Sequence, residues 1–78
     1  MPKYYFHIRK GKEFEVDPEG TDFPTVELAV NDARLAAKEM IAELLMADEV
    51  LDSQQFEISD NRGKVVATVP FRSVLRLH

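Results

Sequence analysis

The chain of 78 residues contains no cysteine. Disulfides and thiolate metal sites are excluded, so the fold must rest on its apolar core. The only histidines, His7 and His78, do not form a spaced pair of metal ligands. The glycines, Gly11, Gly20 and Gly63, stand singly, so no phosphate-cradling loop is present. Ser and Thr are few, and no catalytic triad assembles around His7. No apolar run approaches the roughly 20 residues of a membrane span. The opening MPKYYFHIRK lacks the apolar stretch of a secretory leader. There is no internal repeat and no low-complexity segment. These absences predict a single cytoplasmic domain over residues 1–78, with no metal, no cofactor, no enzymatic activity and no membrane partner. At this size folding buries only roughly 60–65% of the unfolded chain's surface, so stability is small and self-association is one way to raise it.

Charge is unevenly spread. The net charge is −4, which argues against a nucleic-acid module. Residues 1–12 nevertheless carry Lys3, Arg9, Lys10 and Lys12 and no acid, and residues 61–78 carry Arg62, Lys64, Arg72 and Arg76 and no acid. Between Glu13 and Asp32 there are seven acids and no base. If the two ends pair in a sheet, the basic groups converge.

What the chain does have is one long amphipathic stretch, Thr25–Ala47. At 100° per residue, Val26, Ala29, Val30, Ala33, Ala36, Ala37, Met40, Ile41 and Leu44 fall in one sector. Glu27, Asp32, Arg34, Lys38, Glu39 and Glu43 lie outside it. The run is rich in good helix formers, uninterrupted by Gly or Pro. The mid-stripe alanines invite a close sheet. Thr25 is the expected N-cap; the other end is poorly marked, with no Gly after Ala47 and with Asp48 and Glu49 of the wrong charge for it. On the opposite side Leu28, Leu35, Ala42 and Met46 make a second apolar stripe, read either as scattered surface residues or as a seam for a second subunit. The helix would span about 34 Å and a seven-residue strand only about 23 Å, so the helix should overhang its sheet.

Alternation predicts strands on both sides of the helix. In Tyr4–Lys10, Tyr4, Phe6 and Ile8 point one way and Tyr5, His7 and Arg9 the other. After a reversal at Gly11-Lys12, Glu13–Asp17 returns, with Phe14 and Val16 expected on the apolar face and Glu13, Glu15 and Asp17 on the polar one. Asp17-Pro18-Glu19-Gly20 is a turn. Val50 and Leu51 are expected to plug the open end of the core. Gln55–Ser59 is the third strand, with Phe56 and Ile58 inward. Asp60–Gly63 is a hairpin turn, and Lys64–Phe71 is the fourth strand. Its register is ambiguous: a type I turn with a Gly63 bulge pairs Ile58 with Val66, and an even loop pairs it with Val65. Burial favours Val65, Ala67, Val69 and Phe71 as the inward set. Arg72–His78 reads as a turn of helix or an extended tail. The fold class is α+β: ββαββ, a four-stranded antiparallel sheet with one long helix packed on one face.

The stretches MPKYYFHIR (1–9), DPEGTDFP (17–24), FEISDNRGKV (56–65) and TVPF (68–71) together make a recognisable pattern. It resembles a family of small proteins of rhizobial and related alphaproteobacteria that is catalogued as a domain of unknown function. The resemblance spans nearly the whole chain. It implies a compact cytoplasmic α+β domain and no particular activity.

His7 is the residue most suited to chemistry, since imidazole titrates near neutral pH. It is expected on the open sheet face, bonded to a cross-strand carboxylate such as Glu13 or Glu15, without metal or catalytic duty. Asp17, Glu19 and Asp22 read as a solvated acidic turn, lacking the pattern of a calcium loop. Two interaction surfaces remain: the outer helix stripe of Leu28, Leu35 and Met46, and the open sheet face around Tyr5, His7 and Arg9. The leading expectation is a protein–protein interaction module that forms a homodimer, with an unidentified protein partner also open. The helix stripe is favoured because three carboxylates, Glu13, Glu15 and Glu57, would dilute the sheet face. The alternative is a nucleic-acid-associated regulatory accessory protein that uses the basic ends.

Overall fold

The computed structural model describes residues 1–51 and 53–75. The tail expectation for Arg76–His78, and with it His78, lies outside the described residues. The elements run β1 (Lys3–Lys10), β2 (Glu13–Glu15), β3 (Thr21–Asp22), α1 (Val26–Met46), β4 (Gln55–Ser59), β5 (Val65–Pro70) and a 3-10 turn (Phe71–Val74). The sheet is antiparallel, in the order β2-β1-β4-β5. The short β3, which the sequence pattern did not reveal, pairs with the start of β1. The two basic chain ends lie in one sheet but do not pair, because β4 separates β1 from β5.

The helix begins and ends as backbone chemistry dictates. The Thr25 hydroxyl accepts the Leu28 N–H at 3.2 Å, and this N-cap satisfies one of the orphan donors of the first turn. At the other end Asp48 adopts φ +57°, the Asp48 N–H reaches the Leu45 carbonyl at 3.2 Å, and the Glu49 N–H reaches that of Leu44 at 2.9 Å. That is the double bond pattern that glycine usually closes. Aspartate, which tolerates the left-handed region better than most residues, fills it here.

Helix α1 lies on β4, β5 and the 3-10 turn. Ala29, Ala33, Ala37 and Ile41 are buried against Tyr4, Phe56, Ile58, Val69, Phe71 and Val74. Val26, Val30, Ala36, Met40 and Leu44 flank them, half-buried. The phase set by the alanines is therefore the observed one. Phe23, just before the helix, stacks on Phe6 with centroids 5.8 Å apart and extends the core under β1.

Four inward assignments fail, those of Phe14 and Val65 through register. The reversal at Gly11-Lys12 is a two-residue turn, with Gly11 at φ +59°, a conformation that glycine adopts most readily. It pairs Lys10 with Glu13, Arg9 with Phe14 and Ile8 with Glu15. Residues opposite one another share a face, so Phe14 joins Arg9 on the outer face and is 42% exposed, while Glu13 and Glu15 turn to the helix side. Val16 lies beyond the end of β2 and is exposed. In the second hairpin Ser59 pairs with Val65, but a bulge then shifts the register so that Ile58 faces Ala67. Val65 is thereby left outside, and Val66, the extra residue, packs on the core instead. Val50 is also exposed; Leu51 alone packs on the core there.

Candidate functional site

The sheet face away from α1 carries an aromatic cluster centred on β1. Tyr5 stacks on His7 at 6.2 Å and 10°, and the His7 ring meets Phe14 at 5.4 Å. The Arg9 guanidinium lies 4.5 Å from the Phe14 ring centroid, within cation–π range. Three strands build this cluster: β1 supplies Tyr5, His7 and Arg9 on alternate positions, β2 supplies Phe14, and β4 supplies Glu57 and Ser59 opposite His7 and Tyr5. Arg9 also forms an ion pair with Glu57 and holds that carboxyl below its usual value.

His7 is fixed by partners other than the expected ones. Its Nδ1 accepts the Asp17 backbone N–H at 3.0 Å, and its Nε2 lies 2.8 Å from Ser59 Oγ. Glu13 and Glu15, the carboxylates expected beside it, are on the opposite face. A backbone N–H can only donate, so the hydrogen of the neutral ring sits on Nε2 and is donated to the Ser59 hydroxyl. A base that activates a serine must accept the hydroxyl proton, which is the reverse arrangement. Ser59 is moreover 2% exposed. Among the described residues no group of three His, Cys, Asp or Glu converges as metal ligands.

Asp17 organises the edge of this face. Between the stretches of β1 that pair with β2 and β3, the Phe6 N–H has no strand partner; it donates to Asp17 Oδ2 at 3.1 Å. Asp17 Oδ1 takes the N–H groups of Glu19 and Gly20 at 3.2 and 3.3 Å. Burial would raise the Asp17 pKa, but the hydrogen bonds from the Phe6, Gly20 and Glu19 backbone N–H groups outweigh it and hold the carboxyl below its usual value. Gly20 closes the turn at φ +71°, and a Cβ there would sit 2.8 Å from both Lys3 Cγ and Tyr5 Cε2. The Asp17–Gly20 turn, read in the sequence as a solvated connection, therefore latches β1 and seats Tyr5.

A pH dependence follows. A carboxyl with a depressed folded-state pKa stabilises the fold above its unfolded value near 4 and loses that contribution as pH falls through the folded value. Glu57 and Asp60 are shifted the same way as Asp17. Stability is expected to be flat above about pH 5 and to fall below it. Asp17→Asn places an amide NH2 against one set of backbone N–H donors, and is expected to cost about 1–2 kcal/mol at neutral pH after solvent screening. It should also flatten the acid limb. Urea titrations across the acid range measure both, and an unchanged acid limb would remove Asp17 from the latch.

Of the residues singled out in the sequence, Tyr5, His7 and Arg9 are brought together on one face. Leu28, Leu35 and Met46 lie exposed along the outer side of α1. The cluster residues not foreseen are Phe14 and Ser59; Asp17 is expected on the open face, but its bonds to Phe6 and His7 are not. Among the described residues no helix is long and apolar enough to cross a membrane. No curated protein and no solved structure matches the chain. The model of a domain of unknown function, DUF6894, matches residues 3–72, and the chain belongs to that family.

Proposed function

We propose that this domain is a cytoplasmic, non-enzymatic interaction module that pairs with a second copy of itself through the open sheet face. The observation that supports the reading is the Tyr5, His7, Phe14 and Arg9 cluster. Aromatic residues and arginine are the types enriched at the centres of protein interfaces, and unpaired charge is depleted there. The sequence pattern favours the helix stripe because alternation alone puts three carboxylates on the sheet face. The observed register removes two of them and leaves Glu57, which Arg9 neutralises. Short or interrupted edges turn association away from strand addition: β2 is three residues with a glutamate at each end, and β5 ends at Pro70 after its bulge. A nucleic-acid role for this face has less support, since Arg9, the cation packed on these rings, is already paired.

Light scattering coupled to gel filtration tests the reading. The wild type is expected to run as a dimer at high micromolar concentration. Phe14→Glu places like charges across a twofold seam, because such contacts repeat the same residues. It should give a monomer, while Leu35→Glu should leave the dimer intact. A monomeric wild type ends the self-association reading. A dimer broken by Leu35→Glu and not by Phe14→Glu moves the seam to the helix.

A further inference from the structure

The helix leaves part of its apolar stripe uncovered. Ala29, Ala33 and Ala37 are fully buried, but Met40 and Leu44, one and two turns later, are only half-buried. Helix α1 lies over β4 and β5, and the inner face of the β1–β2 hairpin stays open beside its C-terminal half. Between them runs a groove of about 760 Å³, within the usual range for ligand pockets. Ile8, Met40, Leu44 and Phe71 are the core of its apolar lining, and Phe14 and Ala47 border it.

The rim is predominantly acidic. Glu13 and Glu15 are turned inward by the two-residue turn, and the groove is also lined by Glu43 from the last turn of the helix and Glu49 from the connection just after it. Lys10, opposite Glu13, is the single cation of the lining. Among the described residues the ion pair formed is Arg9 with Glu57, so none of these four glutamates has a salt-bridge partner. An apolar floor calls for an apolar side chain, and four uncompensated carboxylates call for cations beside it. Nucleic acid and anionic lipid carry the wrong charge. A polyamine would satisfy the rim and leave the floor bare.

We propose that this groove docks a cationic amphipathic segment of a partner protein, with its leucine-like side chains on the Ile8, Met40 and Leu44 floor and its Lys or Arg side chains against Glu13, Glu15, Glu43 and Glu49. The site is on the helix side of the sheet. It goes beyond the sheet-face pairing and does not rest on it.

The test uses three short fluorescein-labelled peptides and anisotropy: leucines set between lysines, the same leucines between glutamates, and the same lysines with serine for leucine. The Lys/Leu peptide alone is expected to bind saturably, and more weakly as salt is added. The exposed triple change Glu13→Gln, Glu15→Gln, Glu43→Gln, with its fold checked by circular dichroism, should weaken that binding about tenfold. Leu35→Glu, exposed on the outer side of the helix and away from the groove, should bind as the wild type does, whatever its oligomeric state. No saturable binding of the Lys/Leu peptide overturns the proposal. So does equal binding of the Lys/Ser peptide, or binding that the triple change leaves intact. If the triple change instead abolishes a dimer of the protein itself, the occupant is a second copy and the proposal of a partner segment fails.

Discussion

Phe71→Ala is expected to remove a large share of the domain's stability. Phe71 is 1% exposed, and its ring meets Phe56 at 5.1 Å between the sheet and α1. Truncating a buried phenylalanine costs about 3–5 kcal/mol, from lost transfer energy and the cavity left behind. At about 0.05–0.15 kcal/mol per residue, a domain of this length has only about 4–12 kcal/mol to lose. The backbone gives the cavity little freedom to close. Pro70 ends the β5 ladder, the Phe71 N–H is bonded to the Gln54 carbonyl at 3.0 Å, and the 3-10 turn starts at the same residue. Arg72→Ala, one exposed residue further on, should stay within about 0.5 kcal/mol. Urea unfolding monitored by circular dichroism gives both values. A cost below about 1 kcal/mol for Phe71→Ala would show that the ring is not a core residue.

The helix was legible in the sequence because its signal is redundant. Over 21 residues the apolar stripe repeats about six times, and one cap residue, Thr25, marks its start. A strand of three residues has no such redundancy. For β2 the alternation Glu-Phe-Glu is the same whichever face it presents, so only the turn can decide. Gly11-Lys12 did carry the deciding information. A two-residue hairpin loop makes an odd position face an even one, which sets Phe14 opposite Arg9 and not beside Ile8. The expectation ranked apolar burial above turn geometry, and the turn prevailed. Val65 failed for a different reason. The bulge opposite the Ile58–Ser59 step adds a residue to β5, and nothing in the repeated valines marks where it falls.

The candidate site was half legible for the same reasons. Tyr5, His7 and Arg9 share a face by simple alternation along one strand. Ser59 reaches His7 from 52 positions away, and that contact depends on β4 lying next to β1, an order no local pattern encodes. Asp17 had a local signal. Aspartate followed by Pro-Glu-Gly is a turn that ties its own carboxylate to the backbone N–H groups two and three residues on. Its third bond, to Phe6, arises because β2 and β3 leave a gap on the same edge of β1. The groove follows from the same misplaced register. With Glu13 and Glu15 assigned outward, its acidic rim is invisible.

Ile41→Ala is expected to cost about 2–4 kcal/mol. Ile41 is the last buried residue of the stripe, one turn beyond Ala37, and the half-buried Met40 and Leu44 lie on either side of it. It carries more apolar volume than the three buried alanines before it, so it anchors the end of the helix where the sheet begins to fall away. Alanine is the better helix former by a few tenths of a kcal/mol, which works against the expected loss. A measured loss in the stated range would therefore come from packing alone. Leu35→Ala is the control on the same helix. Leu35 is 59% exposed, and its truncation should be neutral to within about 0.5 kcal/mol. Both variants should be compared by urea unfolding at low protein concentration, so that association does not add to the stability read. Equal losses for Ile41 and Leu35, or a shift of only a few tenths for Ile41, would mean that the helix is rotated from the phase described. Met40 and Leu44 would then not line the groove, and the docking surface on that side would be lost with them.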